Sequence, residues 1–137
     1  MRTMGLDLGE KTIGVAVSDP TGMIARGVDV IKRKSMKEDI RRILSLIEEH
    51  GVEKIVLGLP LNMNNTEGPG AQMSREFGRA LESRTEIPVV FWDERLTTVA
   101  AEKVLLEADV SRSKRKKVID KMAAVFILQN YLDKESR

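Results

Sequence analysis

The stretch "MGLDLGEKTIGVAVSD", Met4 to Asp19, decides how this chain folds. Its apolar residues fall on every second position: Met4, Leu6 and Leu8, then Ile13, Val15 and Val17. That period belongs to strands with one buried face. Gly9-Glu10-Lys11, the link between them, suits only an antiparallel hairpin. One position breaks the pattern. Asp7 lies inside the first strand, where a lone buried carboxylate is costly unless it is paired or metal-bound. On its face stand Thr3 and Gly5, and on the second strand Gly14, Ala16 and Ser18. Such small residues mark a surface that a ligand or a backbone approaches closely. Read from the strand alone, Asp7 pairs with a buried lysine, caps a turn or serves a bound group.

Around this hairpin, residues 2–8, 12–18 and 24–31 are expected to be strands, the last two joined by Asp19-Pro20-Thr21-Gly22. The period then becomes helical. Ser35 and Glu38 have capping-box spacing, Met36, Ile40, Ile43, Leu44 and Ile47 share one face, and Gly51 supplies the stop. "EKIVLGLP" is a nearly continuous apolar run, the habit of a parallel strand covered on both faces. The polar loop "LNMNNTEGPG", with Asn62, Asn64 and Asn65, has the composition of a lid. It leads into a helix carrying Met73, Phe77, Ala80, Leu81 and Arg84. "IPVVFWDE" is expected to be a second buried strand, followed by helices from about Thr98 to Ala108 and from about Ser113 to Leu132. The order β-β-β-α-β-α-β-α-α gives an α/β fold: a five-stranded mixed sheet, three antiparallel strands then two parallel ones, flanked by helices.

The 137 residues fit a single domain, 1–137. A hydrophobic fraction of 42% with 32% charged residues suits a soluble protein, and the absence of cysteine excludes disulfides and thiolate metal sites. No apolar run approaches the roughly 20 residues of a membrane span, and no signal-peptide segment opens the chain. A cytoplasmic protein with no membrane partner is therefore expected.

Further carboxylates stand where chemistry is plausible. Asp93 and Glu94 fall at the C-terminal end of the last strand, the edge where ligands collect in open α/β sheets. A helix N-terminal region that favours acids explains one of them as well. Asp120 lies one turn before Ala123 and Ala124, whose small size lets a helix approach a sheet; its other reading is an exposed pair with Lys116 or Lys117. Three carboxylates on one rim would make an oxygen-only site suited to Mg²⁺ or Mn²⁺. Such a site hydrolyses phosphodiesters by activating water and stabilising the leaving oxygen.

Basic residues cluster at Lys32 to Lys34 and in "RSKRKK", with Arg112, Lys114, Arg115, Lys116 and Lys117. Positive charge at a helix N-terminus opposes the helix dipole, so the second cluster points to an anionic partner, with a plain solvated patch as the alternative. Arg95 either clamps a phosphate or pairs with Asp93, and Lys11 is placed to reach a scissile phosphate. Trp92 reads as core rather than a base-stacking platform, and His50 as part of a helix C-cap.

"GLDLGEKTIGVAVSD", "IVLGLPLNMNNTEGPGA", "DERLTTVAAEKVL" and "DKMAAVFILQNYLD" together resemble the YqgF-type family. Its members are described as Holliday junction resolvases and as pre-16S rRNA nucleases within the ribonuclease H-like superfamily. The likeness runs in order along essentially the whole chain. It implies a ribonuclease H-like fold and a metal-dependent nuclease. By resemblance the catalytic and metal-binding acids fall on Asp7, Glu94 and Asp120, with Asp93 a less secure ligand. The implied substrate is precursor 16S rRNA at its 5′ side, in ribosome biogenesis and in contact with ribosomal precursor particles. The alternative is branched DNA at a four-way junction, which would need a dimer; a non-catalytic RNA-binding assembly factor is a third reading. Lys11, Asn62, Arg95, Arg112, Lys114, Arg115 and Lys116 are the expected substrate contacts, in a monomer or weak homodimer.

Overall fold

The computed structural model describes residues 1–93 and 112–135, with residues 112–121 described by their backbone course. The elements run β1 (Arg2–Leu8), β2 (Thr12–Ser18), β3 (Ala25–Lys32), α1 (Met36–His50), β4 (Val52–Leu59), α2 (Pro69–Glu82), β5 (Val89–Asp93) and α3 (Arg112–Glu135). The helix expected from about Thr98 to Ala108 lies outside the described residues, as do Glu94 and Arg95.

The five strands form one sheet in the order β3-β2-β1-β4-β5. β1 pairs antiparallel with β2, and β2 with β3, while β1–β4 and β4–β5 are parallel. This is the mixed sheet that the hairpin and the two apolar runs predict. β3 begins one residue later than expected, and the β2–β3 register shifts between Val15 and Ala16.

Local chemistry sets the element ends. Ser35 Oγ accepts the Glu38 N–H at 3.2 Å and opens α1. Gly51, at φ 64°, closes it in the left-handed region that glycine occupies without strain. On α1 the buried stripe is Asp39, Ile40, Ile43, Leu46 and Ile47. Met36, expected on that stripe, is exposed, because it occupies the first position of the helix, beyond the edge of the packed face.

Period two divides the sheet into two cores. Met4, Leu6, Leu8, Ile13, Val15 and Val17 join Ile55 and Leu57 beneath α1 and α2, with Phe77 and Leu81. Ala16 and Val56 point the other way, to Ala124, Ile127, Leu128, Tyr131 and Leu132 of α3. β4 is covered on both faces, as its apolar run requires. β5 differs from expectation. Val89 to Trp92 are half-buried and Asp93 is exposed, because among the described residues β5 ends the sheet and has one strand neighbour.

The small residues of the hairpin receive α3. A Cβ on Gly5 would lie 2.7 Å from Leu128 Cβ and 3.1 Å from the Ala124 carbonyl oxygen. The approaching group at Gly5 is the α3 helix at Ala124 and Leu128, and the fully buried Ala16 packs in the same cluster. Gly5→Ala should therefore lower the unfolding free energy by about 1–3 kcal/mol through overpacking. It should be read as a lower urea midpoint at unchanged m value. A wild-type midpoint would show that α3 yields freely at this contact.

Candidate active site

The C-terminal ends of β1, β4 and β5 share one rim. Leu6 is level with Leu57, and Leu57 with Phe91, while Gly58 and Leu59 pair with Trp92 and Asp93. Asp7 therefore stands near the level of Gly58 and Trp92. It pairs with Gly14 across the hairpin and is half-buried rather than enclosed. By alternation it faces the side of the sheet that carries Gly5 and α3. Glu94 follows Asp93 directly in the chain and lies outside the described residues.

α3 runs antiparallel to β1. Its Ala124 and Leu128 lie at Gly5, whereas Tyr131 reaches Lys54, the register partner of Thr3. Towards its N-terminus α3 thus climbs to the rim. From Gly5, two strand residues to Asp7 advance about 6.6 Å. From Ala124, four helical residues back to Asp120 rise about 6 Å. The backbone of Asp120 consequently comes to the level of Asp7, and Arg112, Lys114, Arg115 and Lys116 lie further along the same helix. Among the described residues no three His, Cys, Asp or Glu side chains gather to hold a metal, and of the three expected ligands only the Asp7 side chain is described.

Lys11 sits exposed in the β1–β2 turn, directly beyond Asp7. That turn closes with the Gly9 N–H donating to the Thr12 carbonyl at 2.8 Å. Arg33, the middle residue of the basic cluster Lys32 to Lys34, grips it. Its backbone N–H donates to the Lys11 carbonyl at 2.9 Å, and its Nη1 to the Gly9 carbonyl at 3.1 Å. Its Nε donates to Asp39 Oδ2 at 3.1 Å, and the guanidinium lies 5.9 Å from the centre of the Phe77 ring. The Arg33 side chain is 16% exposed and that of Asp39 2%. Lys32 and Lys34 remain exposed. The signal for this pair was in the sequence: Asp39 lies on the apolar stripe of α1, where a buried acid requires a cation.

The loop after β4 is a closed structure. Asn62 donates its N–H to the Thr66 carbonyl at 2.8 Å and its Nδ2 to Thr66 Oγ1 at 2.9 Å. Leu61 and Glu67 form an antiparallel bridge, and Arg75 of α2 holds Glu67 through two bonds of 2.6 Å. The bonds from Arg75 keep the Glu67 carboxyl below its usual range. Asn62, expected as a substrate contact, has its side-chain amide engaged in holding the loop together.

Trp92, expected in the core, is half-buried and packs edge-on against Tyr131, centroids 5.4 Å apart, at the margin of the α3 core. The Lys54 ammonium donates to the Tyr131 hydroxyl at 2.8 Å, and this bond raises the Lys54 pKa. His50 ends α1 next to the Gly51 cap.

Known proteins share this architecture. RuvC of T. thermophilus, solved in complex with a Holliday junction substrate, matches 99% of this chain and 96% of its own, with TM-score 0.62 and 15% identity. The fowlpox virus resolvase, solved with Holliday junction DNA, matches over 100% of both chains, with TM-score 0.63 and 13% identity. The fold is that of the ribonuclease H-like resolvases. A protein of Syntrophomonas wolfei named "Putative pre-16S rRNA nuclease" is 60% identical over 133 residues, covering 97% of this chain and 94% of that protein. The RuvX family, described as Holliday junction resolvase, matches residues 1–134, and this chain belongs to it.

The anchoring of α3 at Lys54 has a pH signature. Because the folded pKa of Lys54 is raised, its contribution is complete below the unfolded value of about 10.4 and is lost as pH rises through the folded value. Tyr131→Phe should remove that contribution. The variant should be less stable than wild type near neutrality and should converge with it in alkaline denaturation curves.

Proposed function

We propose that this chain is a divalent-metal-dependent nuclease that hydrolyses phosphodiester bonds of precursor 16S rRNA, with Asp7, Glu94 and Asp120 as the metal-holding acids. The reading is carried by one observation: Asp7 opens on the rim where β1 and β5 end in parallel and towards which the N-terminal half of α3 climbs. It is supported by the full-length likeness to a protein named for pre-16S rRNA cleavage, and by family membership. Carboxylates without thiolates fit a hard ion, Mg²⁺ or Mn²⁺. Such an ion, when bound, supplies activated water and charge stabilisation at the leaving oxygen.

The chain's own residues do the rest. The β1 ladder sets Asp7 on the α3 side of the sheet. Lys11, exposed at the turn, is positioned to meet a phosphate, and Arg95 is proposed to clamp one. Arg112, Lys114, Arg115 and Lys116 give the N-terminal half of α3 a charge that holds a polyanion without reading its sequence. We place the protein in the cytoplasm, acting on ribosomal precursor particles as a monomer or weak homodimer. Among the described residues no helix is long and apolar enough to cross a membrane. Cleavage of four-way DNA junctions is the second reading, favoured by the family description and the shared fold.

The test is cleavage of a 5′-extended 16S precursor RNA and of a four-way DNA junction, side by side with Mn²⁺. RNA cleavage is expected, falling at least about 100-fold in Asp7→Asn, since a metal's stabilisation is worth several kcal/mol. Cleavage of the junction alone would favour the resolvase, and RNA binding without any cleavage an assembly factor. In the same assay, alanine at Lys114 and Lys116 should weaken RNA binding and reduce the salt slope by about 0.7 for each phosphate no longer neutralised.

A further inference from the structure

We infer that Arg33, locked against Asp39, is a positioning residue for the active-site turn and not a nucleic-acid contact; this rests on the nuclease reading above and adds the device that holds its geometry. Arg33 grips the turn from outside the hairpin, and it does so at both ends. Its main-chain N–H holds the Lys11 carbonyl, and its guanidinium holds the Gly9 carbonyl. The same Nη1 also reaches the Met73 sulfur at 3.3 Å, Nε holds Asp39 Oδ2, and the guanidinium lies over the Phe77 ring. Asp39 is fixed in turn, because its Oδ1 accepts the Lys34 N–H at 3.0 Å.

The bracket therefore ties the turn that follows Asp7 to α1 through Asp39 and to α2 through Met73 and Phe77. A guanidinium suits this task because its planar fork serves a carboxylate and a carbonyl at once, which a lysine ammonium on a flexible stem does not reproduce. It also explains the composition of "KRK". Lys32 and Lys34 stay exposed to face an anion, and the middle cation is turned inward. A turn held at both carbonyls keeps Lys11 in one place relative to Asp7, and loss of about 1 Å in such alignment costs on the order of 100-fold in rate.

The test compares wild type with Arg33→Lys, which keeps a cation beside Asp39, and with the double variant Arg33→Met/Asp39→Asn, which leaves no buried charge. Amide hydrogen exchange of residues 9–12 is read first, since it requires no activity. Both variants should speed exchange there while the amides of β4 keep wild-type protection. Under Mn²⁺, kcat on precursor RNA should fall at least about tenfold, by more than KM rises, with the salt slope of RNA binding unchanged because Lys11 keeps its charge. A raised KM with a shallower salt slope and intact kcat would overturn the inference in favour of a phosphate contact. Wild-type exchange at residues 9–12 in both variants would overturn it as well. Faster exchange in a protein whose wild type cuts no nucleic acid would leave the bracket standing and remove the nuclease reading.

Discussion

Gly5 has no Cβ, and the arrangement of the rim depends on that. The position a Cβ would take is already occupied, 2.7 Å from Leu128 Cβ and 3.1 Å from the Ala124 carbonyl oxygen. Ala124 is small for the same reason, and Ala16 beside Gly5 completes the seat. A helix seated this low on β1 has little freedom to slide, because interiors are close-packed and bistable rather than deformable. Its height decides which helical residues reach the level of Asp7. The far end is fastened by different means: the Tyr131 hydroxyl to Lys54, Tyr131 against Trp92, and Gln129 to the Ala25 N–H at 2.9 Å.

The opposite face of the sheet is governed by a buried ion pair. Asp39 is as buried as the isoleucines around it, and Arg33 is its partner. Removing one member of such a pair costs about 3–5 kcal/mol, whereas the intact pair adds little net stability over an apolar substitute. The pair is better understood as a specificity device. It fixes the turn after β1 against two helices, and that turn carries Lys11. Steric fit on one face thus acts at the middle of β1, and charge pairing on the other acts on the turn that follows it.

Much of this was legible in the sequence. Period two in residues 4–17 gave the hairpin, and Ser35 and Gly51 marked both ends of α1 because caps are local chemistry. Parallel β4 followed from an unbroken apolar run. What failed were statements about neighbours. Met36 matches the apolar stripe by spacing yet lies exposed, the apolar run of β5 predicts a buried strand that instead ends the sheet among the described residues, and the charge run Lys32 to Lys34 does not tell that its middle residue turns inward. Helical phase tells which residues share a face, not how far the packed surface extends. Of the expected acids, the strand register gives the level of Asp7, and the path of α3 gives that of the Asp120 backbone. Glu94 and Arg95 lie outside the described residues.

Asp7, Glu94 and Asp120 are proposed to act as one metal-binding unit, and calorimetric titration with Mn²⁺, without substrate, measures that unit by itself. Wild type and the single variants Asp7→Asn, Glu94→Gln and Asp120→Asn would be compared, each with its folding checked by thermal denaturation. Even residues that only support metal ligands are worth about tenfold in affinity, so each substitution should weaken Mn²⁺ binding by at least that factor. Wild-type Mn²⁺ affinity in all three folded variants would contradict the account.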